Sequence, residues 1–166
     1  MRAWNDRVVE AAYLFNPAFG ATLIAEAVHD YSEKASSSLP FAAIFLILPI
    51  VLHESTRKSL PKSTLTALLP WVQEHRESLV GFAERVQQLR DMTRESVLFG
   101  LQNEVLQIAE DGTVLVGKRR KSVTTRRTPL FTDEANECVE RSGFLGRWFA
   151  TSGAPANIFS AWGVAP

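Results

Sequence analysis

The chain has 166 residues, 46% of them apolar and 22% charged, a globular profile that excludes a disordered or fibrous protein. A chain of this length buries roughly 70% of the surface its unfolded form exposes, so it can build a core without disulfides or metal. Eighteen basic residues balance eighteen acidic ones, so overall charge selects no class of partner and only local clusters can.

Met1 to Arg7 meets charge too early for a signal peptide. Asn5 or Asp6 can cap a first helix, which the pattern carries to about Phe15. Asn16-Pro17 opens the next one. The Asn side chain can accept free N–H groups, and Pro stands where no N–H is missed. Phe19, Leu23, Ile24, Ala27, Val28 and Tyr31 then recur at helical spacing, with Glu26, Asp30, Glu33 and Lys34 largely outside that face. Ser36-Ser37-Ser38 reads as a short loop.

The apolar run Phe41–Leu52 is shorter than the ~20 residues a spanning helix needs. Such a run fits a strand or a buried helix. The reading favoured here is a short buried helix over Phe41–Leu48, stopped near Pro49. His53 to Ser59 predicts a brief helical turn before Leu60-Pro61. Leu65 to His75 predicts another helix, kinked or split by Pro70.

Leu79, Phe82, Val86 and Leu89 make an amphipathic stripe. Asp91 and Thr93 can break and recap the chain, and Val97, Leu98, Leu101, Val105 and Ile108 make a second stripe. The period then changes. Gln107–Glu110 fits a short strand, Asp111-Gly112 a tight turn, and Thr113–Val116 a β-rich return. Helix, helix, hairpin is the order of a winged helix, whose recognition helix would be Thr93–Gln107.

Residues 117–131 hold Gly117, Pro129 and six basic side chains and read as a loop or arm. Thr132-Asp133-Glu134 is a strong helix start, followed by Ala135, Val139, Leu145, Trp148 and Phe149 despite Gly143 and Gly146. Ser152-Gly153 ends that helix. Pro155 opens a last one carrying Ile158, Phe159 and Trp162. The expected fold is mainly α with a small β-hairpin, in one domain over 1–166. It comprises a winged-helix-like core at 5–116 with its hairpin at about 107–116, the basic loop 117–131, and C-terminal helices at 132–163.

Catalytic and metal-binding signatures are missing from the sequence. His29, His53 and His75 have neither metal-ligand spacing nor a neighbouring nucleophile, and read as surface or locally bonded residues. There is no nucleophile elbow, phosphate-binding loop or dinucleotide fingerprint. Cys138 is alone, on the apolar side of a helix, and reads as a small core residue. The expectation is a protein with no catalytic residues, no cofactor and no metal.

The most pointed local feature is Lys118-Arg119-Arg120-Lys121 with Arg126-Arg127, six cations with no acid among them. Such a cluster fits phosphate contacts on nucleic acid, an acidic protein surface, or a solvated loop. Trp4, Arg147, Trp148 and Trp162 are candidates for a protein interface, since Trp and Arg are favoured anchors there; packing in the core is the alternative for the tryptophans.

Several segments together resemble a known family. They are Trp4-Asn5-Asp6-Arg7, Leu14-Phe15-Asn16-Pro17-Ala18-Phe19, Leu39-Pro40-Phe41 and Leu48-Pro49-Ile50-Val51-Leu52-His53. Thr56-Arg57, Leu60-Pro61, Gly81-Phe82-Ala83-Glu84-Arg85, Gly146-Arg147-Trp148-Phe149-Ala150 and Trp162-Gly163-Val164-Ala165-Pro166 complete the set. In order and over nearly the whole chain, it resembles the middle component of bacterial three-component ABC systems. The resemblance implies a cytoplasmic adaptor between an SMC/Rad50-like ABC ATPase and an effector encoded in the same operon, of the anti-phage type. It implies no catalytic residues. The alternative from the residues alone is a winged-helix DNA-binding regulator that uses the basic arm at 118–127. On the adaptor reading the partners are the ATPase and effector subunits of the same operon, with DNA reached through that complex, and no membrane.

Overall fold

The structure, a computed structural model, describes residues 16–121 and 132–165. The helix expected before Phe15, together with Trp4, Arg126 and Arg127, lies outside the described residues. Within them are seven α-helices and one antiparallel hairpin, the mainly helical fold that the periodicity predicts.

Helix α1 (Pro17–Ala35) starts as expected, with Asn16 Oδ1 accepting from the Ala18 N–H at 2.9 Å and Pro17 in the first turn. Leu23, Ile24, Ala27 and Val28 are fully enclosed. α1 is the central element, because two long helices pack on it: α5 (Phe82–Gln102) and, most extensively, α6 (Asp133–Ala150). The Thr132 hydroxyl caps α6 by accepting from the Ala135 N–H, and Asp133 and Glu134 stand in its first turn, at the positive end of the helix dipole. Gly146 lies where α6 meets α1. A Cβ there would stand 2.1 Å from the Ala27 carbonyl oxygen.

Three expectations about helix boundaries are corrected. The first concerns α2 (Ile44–Val51), which follows a 3-10 turn at Phe41–Ala43 and runs through Pro49. An interior Pro costs ~3 kcal/mol. Burial of each Val, Leu or Ile side chain returns about 1.5–3 kcal/mol, and Ile44, Leu46, Ile47, Leu48, Ile50 and Val51 are all buried. Packing therefore wins. α3 (Glu54–Ser59) is the expected turn.

The second correction is α4 (Leu68–Glu74), which starts three residues after Leu65. Pro70 then sits in the first turn, where its missing N–H has no helical partner to lose, so it neither kinks nor splits the helix.

The third concerns α5, which is unbroken across Asp91–Thr93. The Thr93 hydroxyl donates to the Leu89 carbonyl at 2.9 Å, so its polarity is satisfied inside the helix. Met92, Thr93, Ser96, Val97 and Gly100 continue the buried stripe. A separate recognition helix over Thr93–Gln107 does not form.

Strands β1 (Leu106–Ile108) and β2 (Val114–Val116) pair with Leu106 opposite Val116 and Ile108 opposite Val114, within two residues of the expected bounds. Asp111 Oδ1 accepts from both the backbone N–H and the hydroxyl of Thr113, and Gly112 takes a positive φ of 79° in the turn. Leu39 adds an antiparallel bridge to Val114, which ties the segment after α1 to the hairpin.

Helix α7 (Pro155–Ala161) begins at Pro155 as predicted. Its Trp162 end joins an aromatic cluster. Trp71 meets Trp148 edge-on at 5.3 Å, Phe82 lies 4.7 Å from Trp162, and His75 stacks on Trp71 at 4.5 Å. Among the described residues no helix is long and apolar enough to cross a membrane.

His53 precedes α3, its Nδ1 2.7 Å from the Thr56 hydroxyl. Burial, then the charges of Arg85 and Arg57, hold its imidazole below the ordinary value of 6.5. The unfolded chain therefore takes up the proton more readily. Folding loses nothing to His53 above about pH 6.5, where the ring is neutral in both states, and loses stability as pH falls below it. His53→Gln is expected to flatten that part of the profile when urea midpoints are compared between pH 7.5 and 5. An unchanged slope would assign the acid sensitivity elsewhere.

Candidate interaction surface

The structure separates the candidate interface residues. Trp148 and Trp162 are 0% and 1% exposed, and the Trp148 indole N–H donates to the Thr66 carbonyl at 2.6 Å. Both anchor the core and present no surface to a partner, which corrects their assignment as interface anchors. Arg147 is next to Trp148 in sequence but faces outward, because successive helical residues point about 100° apart. Its guanidinium is ion-paired with Asp30 of α1.

The described part of the basic strip leaves the hairpin at Gly117, whose N–H donates to the Val105 carbonyl at 2.8 Å. Lys118, Arg119 and Lys121 are exposed. Arg120 is not. Its Nη2 lies 2.9 and 3.0 Å from the two oxygens of Glu26 on α1, with the side chains 14% and 13% exposed. The root of the strip is thus clamped to α1 through Arg120. A charge-assisted, partly buried pair contributes about 1.5–3 kcal/mol. Glu26→Gln and Arg120→Ala should each lower stability by about 1–2 kcal/mol, with a double mutant well short of their sum. Urea midpoints over the four proteins measure that coupling, and simple additivity would show that the pair is not formed.

Glu26 also lines a surface pocket of about 430 Å³ with Asp30, Lys62, Glu140, Arg141 and Arg147. Asp30 lies between Arg147 and His29, whose Nδ1 is 2.9 Å away. Arg141 donates to the Leu60 and Pro61 carbonyls and lies over the Phe144 ring at 4.6 Å. Burial lowers its pKa from the free arginine value. The clamp and the pocket form one continuous surface on α1 and α6, mixed in sign and richer in cations than in carboxylates. Its lining pairs arginines with acids and holds no Ser, Cys or His. Among the described residues no group of three His, Cys, Asp or Glu is placed to hold a metal.

Sequence reasoning missed the residue that ties the first turns of α6 to the end of α2. Arg57, 1% exposed, donates from Nε to Glu137 at 2.9 Å, from Nη2 to Glu134 at 3.1 Å, and from Nη1 to the Val51 carbonyl at 2.8 Å. Burial opposes its charge, but the hydrogen bonds it donates to both carboxylates, with their charge, outweigh burial and raise its pKa. Cys138 is buried beside it, with the thiol donating weakly to the same Val51 carbonyl and burial raising its pKa.

A second surface has other chemistry. Phe41, Phe45, Val86, Phe159 and Val164 line an open apolar groove of about 290 Å³, and Arg90 and Arg94 of α5 stand at its edge. No curated protein and no solved structure matches the chain. The sequence does match, over residues 4–166, the family described as ABC-three component (ABC-3C) system Middle Component 3.

Proposed function

The chain belongs to the ABC-three component system Middle Component 3 family, and from that premise we propose that it is a non-enzymatic adaptor. In this reading it links an SMC/Rad50-like ABC ATPase to an effector within a bacterial anti-phage complex in the cytoplasm. The observation that carries the reading is the family match over residues 4–166, since a component of a multi-component system has partner subunits. The charged surface on α1 and α6 and the apolar groove beside α5 support it, because two chemically distinct faces suit two different partners. The test is co-expression of the operon with a tag on this chain alone, followed by size exclusion and mass analysis. A stable assembly with the ATPase is expected. A lone monomer or homodimer would overturn the proposal.

A second reading, an autonomous DNA-binding regulator, draws on the exposed Lys118, Arg119 and Lys121. It requires that the isolated chain bind duplex DNA with affinity falling steeply as salt rises. The unbroken α5 and the engagement of Arg120 with Glu26 weigh against it.

A further inference from the structure

The groove beside α5 has a floor and a rim of opposite character. Its floor is built from Phe41 and Phe45, edge to face at 5.8 Å, with Val86, Phe159 and Val164. Phe41 keeps 38% of its surface exposed, a large aromatic left open to solvent. The polar groups of the lining, Gln87, Arg90 and Arg94, all belong to α5 and recur at spacings of three and four. They form a row about 10 Å long, parallel to the helix axis. Among the described residues, the lining contains no carboxylate.

Arg90 and Arg94 are 58% and 60% exposed and share one acid, Asp91, at 3.8 and 3.9 Å. Exposed pairs that long contribute between nothing and about 1 kcal/mol, so they hold neither arginine back from another carboxylate. An apolar trough beside a straight row of two cations matches a linear ligand with apolar side chains on one edge and acids on the next. A small molecule is a poorer match, because the floor offers no polar group to orient it.

We propose that this groove is the docking site for an acidic amphipathic segment of a partner protein. Its apolar side chains enter between Phe41, Phe45, Val86 and Phe159, and its carboxylates meet Arg90 and Arg94. This is the helix-in-groove mode of recognition, with the arginines fixing polarity and register. The identity of the partner as a subunit of the same system rests on the adaptor reading. The chemistry of the groove does not.

The test uses the full chain, as wild type and as Arg90→Glu/Arg94→Glu, in two arms. In the first, a fluorescein-labelled peptide with leucines at helical spacing and glutamates between them is titrated by anisotropy. Two control peptides carry lysines for the glutamates or serines for the leucines. The glutamate peptide is expected to bind wild type, both controls about tenfold or more weaker, and the double variant to lose the glutamate peptide by about tenfold while gaining the lysine one. An unchanged unfolding midpoint shows that the double variant is folded, since both arginines are exposed. Equal binding of glutamate and lysine peptides, an unaffected double variant, or no binding to wild type would each overturn the proposal. So would a wild-type dimer that Phe41→Ser converts to a monomer, since a second copy would then fill the groove.

In the second arm the operon is co-expressed with each protein. The double variant should lose one partner and keep the other. Retention of both overturns the groove assignment alone. Recovery of no partner by wild type overturns the adaptor reading and leaves the groove to be decided by the peptides.

Discussion

Arg57→Ala is expected to destabilise the fold by about 3–5 kcal/mol, the range for removing one member of a buried ion pair. Arg57 has almost no solvent contact, and its three hydrogen bonds join the end of α2, through Val51, to the first turns of α6, through Glu134 and Glu137. Alanine would leave a cavity as well as a buried Val51 carbonyl with only a weak thiol donor. The carboxylates differ. Glu134 is 68% exposed and can turn to water, so Glu134→Gln should lie within about 1 kcal/mol of wild type. Glu137 is about half as exposed and should cost more. Arg57→Met fills most of the volume and removes the charge, and should fall between. Urea unfolding gives all four values. An Arg57→Ala loss no larger than that of Glu134→Gln would mean that Arg57 is solvated and does not join α2 to α6.

Gly146→Ala should destabilise by about 1–3 kcal/mol, as overpacking does, although Gly to Ala inside a helix ordinarily stabilises by about 0.5–1 kcal/mol. The sign is decided by what the new methyl meets. At Gly146 its neighbours are the Ala27 carbonyl oxygen at 2.1 Å and carbonyl carbon at 2.9 Å, backbone atoms of α1 that cannot rotate away. α1 and α6 must separate. At Gly143 the nearest atom is the Asp30 carboxylate at 2.7 Å, a side chain that can move, so Gly143→Ala should cost less but disturb the contact with Arg147. The α1–α6 seam also places Glu26, Asp30 and Arg147 on one surface, so Gly146→Ala should weaken any partner held there. Thermal unfolding is the check. A Gly146→Ala protein as stable as wild type would contradict the close approach of the two helices.

What was legible in the sequence was local. Asn16-Pro17, Thr132-Asp133-Glu134, Asp111-Gly112 and Pro155 each carry their own capping or turn chemistry, and each stands where it was expected. The middle of α5 is hard to read because Asp91 and Thr93 have the chemistry of a break and a new cap, while Thr93 and Ser96 put hydroxyls on an otherwise apolar face. Only the back-bond to Leu89 and the close packing of Ser96 against Gly20 reveal them as interior. Pro49 and Pro70 look like breakers by propensity. One is overridden by burial on every side, and the other falls in a first turn. Trp148 and Trp162 offered no way to tell core from interface, because a tryptophan serves both. The charged surface was illegible for a different reason. Glu26 finds Arg120 at a separation of 94 residues, and Arg57 finds Glu134 and Glu137 at 77 and 80. No spacing rule pairs residues so far apart.

As an adaptor, this chain would bridge two proteins that do not otherwise meet. The most direct measurement is association of the tagged effector with the ATPase, purified from cells that carry or lack this chain, read as co-eluting mass on size exclusion. The adaptor account predicts one assembly containing all three chains, and separate elution of ATPase and effector when this chain is left out. Association of those two without it, undiminished, would contradict the account.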